Sequence, residues 1–251
     1  FYLDRVYKQK DYRTLIHTYF GLKLPPLKIV VTGSGRVAHG IIEVMNMMDV
    51  QEVEPDEFLQ GSYSYPVFTQ LKGSNLYLHR DKKTYIREHF HQHPEEYDCL
   101  FEPFCFKADI LMNGIYWEKN MPALFTWNTI QQPEFNLVTI ADITDDAYGS
   151  VPCNLGDATI ENPVYGVNKQ TRQKTEPYLP DGIDVMAVGN LPNELPRDAS
   201  RYFGEQLIKY VFNNLEDKNN AIIIKATILE NGQLTPYFNY LEDYAYANNK
   251  K

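Results

Sequence analysis

The stretch Leu27-Lys-Ile-Val-Val-Thr-Gly33-Ser-Gly35-Arg36-Val-Ala38-His-Gly40-Ile-Ile-Glu-Val-Met45 decides the fold. Its opening run, rich in β-branched residues, reads as a buried strand, and the glycines that follow read as a tight turn. Apolar residues then recur at Val37, Ile41, Ile42, Val44 and Met45 with helical spacing. Glu54 lies about 20 residues downstream. A strand, a glycine turn, a helix and a later acid form the layout of a dinucleotide-binding βαβ unit. In that layout Gly33 permits the turn, Gly35 lets backbone approach a pyrophosphate, and Ala38 lets the helix pack close to the sheet. The unpaired N–H groups of the first helical turn face the phosphates. A GxGxxA triplet alone is weak evidence, because it recurs by chance in loops; here the strand, the helix and the acid all stand in the right places.

Other strand-like segments support a sheet built around this unit. A strand is predicted near Gln51 to Glu54, stopped by Pro55, and a short one at Asn75 to Leu78. Ala108-Asp-Ile-Leu-Met-Asn113-Gly114, Asn136-Leu-Val-Thr-Ile-Ala-Asp142 and Gly182-Ile-Asp-Val-Met-Ala-Val-Gly-Asn190 each end in small or polar residues. Parallel sheets produce such ends, because ligands gather outside the carboxyl ends of their strands. A lead-in with helical character is predicted over residues 1–20, on Tyr2, Leu3, Val6, Leu15, Ile16 and Tyr19. Lys83 to Gln92 reads as a helix before Pro94. A further helix begins near Pro196, a first-turn residue, and carries Ala199, Tyr202, Phe203, Leu207, Tyr210 and Val211 on one face. The Ile-rich segment from Ala221 to Leu229 is read as helix, with a strand as the alternative, since Asn231-Gly232 serves either a helix cap or a hairpin. The fold class expected is α/β: a Rossmann-like, doubly wound parallel sheet with C-terminal helices. The expected division is a lead-in over 1–25, a dinucleotide-binding domain over 26–190 and closing helices over 191–251.

Composition narrows the partners. The chain has 251 residues and a net charge of −9, with no basic block, so nucleic acid is not expected to bind. No apolar run is long enough to span a bilayer, so no membrane partner is expected. Cys99, Cys105 and Cys153 form neither a CxxC pair nor an even set, which fits a reducing compartment and a cytoplasmic location. The sequence opens on Phe1, not Met, and reads as a piece of a longer protein.

Several words beyond the glycine turn resemble the lysine–ketoglutarate reductase domain of the saccharopine dehydrogenase family, in the alanine dehydrogenase and transhydrogenase group. They are Val31-Thr-Gly-Ser-Gly35, Val53-Glu-Pro-Asp-Glu57-Phe-Leu59, Asn113-Gly-Ile-Tyr-Trp-Glu118, Ala141-Asp-Ile-Thr-Asp145, Asn190-Leu-Pro192 and Tyr202-Phe-Gly204. The similarity runs from about residue 25 to about residue 245, and Asn113 to Glu118 is its most specific word. The resemblance implies an oxidoreductase that joins lysine and 2-oxoglutarate as an imine and reduces it to saccharopine, or runs the reverse. It implies hydride transfer with NAD or NADP, small amino-acid and keto-acid substrates, and an N-terminal substrate domain that carries the family's lysine and histidine acid–base pair. That domain is missing from this sequence, so no catalytic residue is assigned, and the oligomeric state is left open.

Carried over position by position, the resemblance sets Gly35 and Arg36 against the pyrophosphate, beside the turn at Gly33. Glu54 meets the adenosine ribose, and Tyr116 lies beside the adenine or its ribose. Ala141, Asp142, Ile143 and Thr144 line the next strand end, while Val188, Gly189, Asn190 and Leu191 lie near the nicotinamide. The family carries an acidic residue before Asn-Leu-Pro, whereas this chain has Gly189. A carboxylate at Glu54 favours NAD on charge grounds, and the resemblance admits NADP; the cofactor expected is therefore NAD or NADP.

Each candidate has a plainer reading. Glu54 could be a solvated strand-end acid and Arg36 a solvated first-turn residue. Asp142 with Asp145 is more readily a cofactor loop than an acid–base pair. His89, His91 and His93 alternate as metal ligands do, but positions i and i+2 diverge on a helix, and no metal is expected. Tyr63, Tyr65, Tyr85 and Phe90 read as core or loop aromatics. The alternatives to the reductase reading are another amino-acid dehydrogenase of the same group and a noncatalytic dinucleotide-binding module.

Overall fold

In the computed structural model, residues 4–247 are described; Tyr2 and Leu3 of the expected lead-in lie outside them. The chain divides into two compact units, one ending at Glu194 and the other starting at Leu195.

The first unit opens with a 3-10 turn at Val6–Lys8 and helix α1 (Tyr12–Tyr19), whose N-cap Asp11 accepts a hydrogen bond from the Thr14 amide. Strand β1 (Lys28–Thr32) and helix α2 (Arg36–Met47) follow, with the glycine turn between them. Next come β2 (Gln51–Glu52), α3 (Pro55–Gln60), β3 (Val67–Leu71), β4 (Tyr77–His79), α4 (Arg87–Gln92), β5 (Tyr97–Cys99) and α5 (Glu102–Cys105). The unit continues through β6 (Ile110–Asn113), α6 (Trp127–Ile130), β7 (Thr139–Asp142), β8 (Val164–Asn168), β9 (Lys174–Thr175) and β10 (Gly182–Met186). Eight strands form one sheet in the order β2-β3-β1-β6-β7-β10-β8-β9, and β4 pairs with β5 separately.

The sheet is parallel from β2 to β10, as the strand ends imply, and turns antiparallel at β8 and β9. It is therefore a Rossmann-like α/β sheet with an antiparallel edge, an addition common on parallel sheets. Side chains alternate across it. Ile29 and Val31 pack with Ala38 and Met45 of α2 on one face, and Val30 joins Leu111, Ile140 and Val185 in the larger core on the other. Ala38 is fully buried, the close helix approach that its small side chain permits.

The order of the strands departs from the simplest reading of the sequence. The strand after α2 does not lie beside β1; β3 does, and β2 is the sheet's outer edge. β3 is hard to see in sequence because its buried run Val67-Phe-Thr-Gln-Leu71 includes two polar residues that are themselves buried. The expected helix over Lys83 to Gln92 is shorter, because Lys83 takes a left-handed turn conformation with φ 49° and the helix starts at Arg87.

The second unit, taken by itself, holds α7 (Pro196–Tyr210), with Pro196 in its first turn as expected, and α8 (Ala221–Ala226), capped by the Asn220 side chain. Strands β11 (Leu229–Glu230) and β12 (Gln233–Leu234) and helix α9 (Glu242–Ala245) complete it. The ambiguous segment is both of the things it resembled. It is helical to Ala226, and then Asn231 and Gly232, with φ of 50° and 78°, turn a hairpin between β11 and β12. Among the described residues, no helix is long and apolar enough to cross a membrane.

Candidate functional site

At the carboxyl end of β1 the backbone is shaped for close approach. Gly33 takes φ 103°, and a Cβ there would lie 2.5 Å from the carbonyl oxygen of Gly114 at the end of β6. Gly35 is the N-cap of α2 and has no side chain to satisfy the first-turn amides, which stay available to an anion. A Cβ on Gly35 would meet nothing within 4 Å, so the space before it is open.

That space is a cavity of about 620 Å³. Its floor is Gly33, Ser34, Gly35 and Arg36, with Gly114, Ile115 and Tyr116 on one side and Lys72, Tyr85, Arg87 and His91 on another. Tyr116 is well exposed at the rim, with the His91 ring edge-on at 6.1 Å between centroids, and its hydroxyl donates to the Glu118 carboxylate. Phe90 stacks on Tyr77 at 4.5 Å and supports the aromatic wall. By sequence Tyr85 and Phe90 read as packing aromatics, and no motif marks Lys72, Arg87 or Gln70. Gln70 is buried beside the turn, where its amide donates to the Gly33 carbonyl at 2.8 Å and its oxygen accepts from Lys72 at 2.7 Å. No local pattern announces such a residue, since its partner is 37 positions away.

Of the residues expected at the site, Gly33, Gly35, Arg36 and Tyr116 line this cavity. Glu54 does not: it is exposed at the end of edge strand β2, with the whole of β3 between it and the glycine turn. The other expected residues gather further along the sheet's carboxyl edge. Thr32, Asn113 and Asp142 are successive register partners on β1, β6 and β7, all fully buried. The Thr32 hydroxyl donates to Asn113 at 2.7 Å; the Asn113 amide donates to Asp142 at 2.7 Å and to the Ser150 hydroxyl at 2.8 Å. The Asn154 amide donates to the second Asp142 oxygen at 2.8 Å. Burial raises the Asp142 carboxyl above the usual carboxylate range, opposed by these amide donors. Asp142 is thus a buried clamp between strand ends, not an exposed proton donor. Ala141 precedes it on β7, and the Thr144 hydroxyl donates to the Ile115 carbonyl at 3.1 Å, which ties the loop of Ile143 and Thr144 to the cavity wall.

Val188 is buried, whereas Gly189 and Asn190 are exposed and Leu191 half-buried after β10. A Cβ on Gly189 would stand 2.9 Å from an oxygen of Asp145. Asp145, in a left-handed conformation with φ 58°, has one buried carboxyl oxygen without a hydrogen-bond partner. Burial, and the carboxylates of Asp157, Asp142 and Asp146, push it up to about 6.

The histidines sort differently from their spacing. His79, on β4, meets Glu96 at 3.0 Å and is 5.6 Å from the His89 ring, and these three form a potential metal-holding group. The Nδ1 of His79 accepts from the amides of Asp81 and Lys82 at 3.1 and 3.3 Å, so its proton sits on Nε2 and is donated to Glu96. The group reads as a hydrogen-bonded brace on the β4–β5 hairpin. Burial raises the thiol of Cys99 up to about 12, and those of Cys105 and Cys153 further still, away from nucleophile chemistry.

No family model matches the chain. Curated relatives do. Alpha-aminoadipic semialdehyde synthase, mitochondrial, of Mus musculus is 30% identical over 251 residues, covering 86% of this chain and 27% of that protein. The Arabidopsis thaliana alpha-aminoadipic semialdehyde synthase is 28% identical, over 88% of this chain and 23% of its own length. A saccharopine dehydrogenase (NAD(+), L-lysine-forming) of Emericella nidulans is 29% identical over 50% of this chain and 32% of its own length. The chain spans about a quarter to a third of the length of these relatives.

Proposed function

We infer the function from the place of this chain in the saccharopine dehydrogenase family, to which its similarity over 86% of its length assigns it. Its relatives are oxidoreductases of the saccharopine dehydrogenase type. The chain is the cofactor-holding portion of such an enzyme. The transformation is hydride transfer between a nicotinamide dinucleotide and the imine, or secondary amine, that joins lysine to 2-oxoglutarate. The acid–base pair and substrate contacts belong to a part of the protein outside this chain.

The observation that carries this reading is the glycine-floored cavity at the carboxyl end of β1, where open space faces the α2 N-terminus. Its volume is within the range of small-molecule and cofactor sites. Its lining fits an anionic dinucleotide, since it offers backbone amides and the guanidinium of Arg36 to phosphates and an exposed aromatic, Tyr116, to a base. The nicotinamide would supply the hydride acceptor or donor. The chain's own share is to bind and orient. Gly33 lets β1 turn under the phosphates, Gly35 leaves room for them, and Arg36 offers them charge. The residues from Ala141 to Thr144 and from Val188 to Leu191 form the edge along which the nicotinamide end would run.

Calorimetric titration of the chain with NADH and NADPH tests the first half: saturable 1:1 binding of at least one supports it, and binding of neither overturns it. Saccharopine-dependent reduction of NAD(P) by the full-length protein tests the second. Robust turnover by the 251-residue chain alone would overturn the division of labour.

A further inference from the structure

A second cavity, of about 440 Å³, lies at the antiparallel edge of the sheet and shares no lining residue with the glycine-floored one. Three stretches of chain converge on it: Trp127 at the start of α6, Tyr148 and Leu155 from the loop after β7, and Arg172, Gln173 and Lys174 from the β8–β9 hairpin. Its volume is within the range of small-molecule sites. In a chain of net charge −9, this lining holds two cations and no aspartate or glutamate. Among the described residues, neither Arg172 nor Lys174 forms a salt bridge, so their charge is not cancelled by a neighbour.

Both cationic heads are held in place. The Arg172 guanidinium lies over the Trp127 ring at 5.3 Å and donates to the Gln131 side-chain oxygen at 3.3 Å. The Lys174 ammonium stands 4.1 Å over the Tyr165 ring and donates to the Gly156 carbonyl at 3.1 Å. A guanidinium has five N–H donors and an ammonium three, so each keeps donors for a ligand. Heads already fixed lose less entropy when an anion binds. The wall behind them is fixed as well. The Tyr165 hydroxyl accepts from the Leu155 amide at 2.9 Å and donates to the Asn154 side chain at 3.2 Å, and Asn154 in turn holds Asp142. Tyr148 is 70% exposed and takes a φ of 56°, a conformation rare for a bulky side chain. Its amide donates to the Asn154 carbonyl at 2.8 Å, so the turn that presents its ring is tied to the same network.

We propose that this cavity binds a phosphate monoester carried on a flat aromatic body, with Arg172 and Lys174 on the phosphate and the Tyr148 ring against the body. A phosphate monoester carries between one and two negative charges at neutral pH and three acceptor oxygens. That matches a guanidinium fork beside a single ammonium, whereas a carboxylate brings one charge to the pair. The exposed Tyr148 ring supplies an apolar face on which a flat ligand stacks. The site is separate from the glycine-floored cavity and stands whether or not that cavity takes a dinucleotide.

The test is calorimetry on the 251-residue chain with phenyl phosphate, inorganic phosphate and benzoate. Phenyl phosphate is expected to bind with a dissociation constant below about 1 mM, about tenfold or more tighter than inorganic phosphate or benzoate, and to weaken with added salt. Arg172→Gln and Lys174→Gln each lower its affinity about tenfold or more, whereas Lys174→Arg, which keeps the charge, retains it. Tyr148→Ala removes the advantage over inorganic phosphate. Gly35→Val, which obstructs the other cavity, leaves phenyl phosphate binding unchanged. The inference is overturned by no binding of phenyl phosphate, by benzoate binding as tightly, or by an affinity indifferent to both glutamine variants. Binding that is lost with Gly35→Val overturns it too, since the phosphate would then sit at the glycine turn.

Discussion

Gly33 and Gly114 meet across the β1–β6 boundary so closely that a Cβ on the first would lie 2.5 Å from the carbonyl oxygen of the second. The approach is mutual, since a Cβ on Gly114 would lie 3.3 Å from the Thr32 carbonyl and 3.0 Å from Val37. Two backbones therefore converge under the cavity floor, and both glycines are needed for packing before any ligand arrives. Gly33 is predicted to be the more sensitive, because its φ of 103° is strained for any L side chain. Gly33→Ala combines that strain, about 1–3 kcal/mol, with a backbone clash. A loss of about 2 kcal/mol or more in denaturant unfolding is expected, and a loss below about 0.5 kcal/mol would contradict the close approach.

Gly35 separates binding from stability. Its Cβ position is open and its φ is −86°, so a side chain there strains nothing in the free protein. Gly35→Val projects a branched side chain into the cavity, and dinucleotide affinity is expected to fall at least tenfold, about 1.4 kcal/mol. The thermal midpoint should fall only slightly. Unchanged affinity in calorimetry would remove the pyrophosphate from this turn.

Asp142 is expected to matter for folding. Asp142→Ala leaves the amides of Asn113 and Asn154 without their acceptor in a fully buried setting. An unsatisfied buried donor costs about 1–3 kcal/mol, so the double loss is expected to cost about 2–6 kcal/mol. Asp142→Asn keeps the shape but sets amide against amide, and should recover only part of the loss. A variant as stable as the parent in denaturant unfolding would show that the network carries no weight.

Asp145 should impose a pH dependence of its own. Burial first, and the carboxylates of Asp157, Asp142 and Asp146 after it, raise it from 3.8 to about 6. Between those values the unfolded chain has released the proton and the folded chain retains it, so stability falls as pH rises through the window. The contribution is fully present below about pH 4 and absent above about pH 6. Asp145→Asn removes this slope and relieves the repulsion at neutral pH. The site is partly solvated, so screening limits the gain to under about 1 kcal/mol. Thermal midpoints measured from pH 4 to pH 8 should show parent and variant diverging in the variant's favour as pH rises; parallel curves would place the Asp145 carboxyl in water.

What the sequence determined by itself was whatever its local pattern dictates. The glycine turn after Leu27 to Thr32, the helix on Arg36 to Met47 and the polar ends at Asn113 and Asp142 follow from neighbours along the chain: β-branched runs, turn glycines, helical spacing. Gly33, Gly35 and Arg36 were legible for the same reason, Tyr116 was implied by the family resemblance alone, and all four line one cavity. Only the tertiary structure decided which strand lies beside β1. Strand order comes from hydrogen bonds between segments far apart, and a strand buried on both faces has no alternation to announce it. β3 took the inner place and β2 the edge, which carried Glu54 away from the glycine turn and brought Lys72 to it. Gln70 was invisible for a related reason: a glutamine in a buried run acquires its role only when folding brings Gly33 within 2.8 Å of its amide.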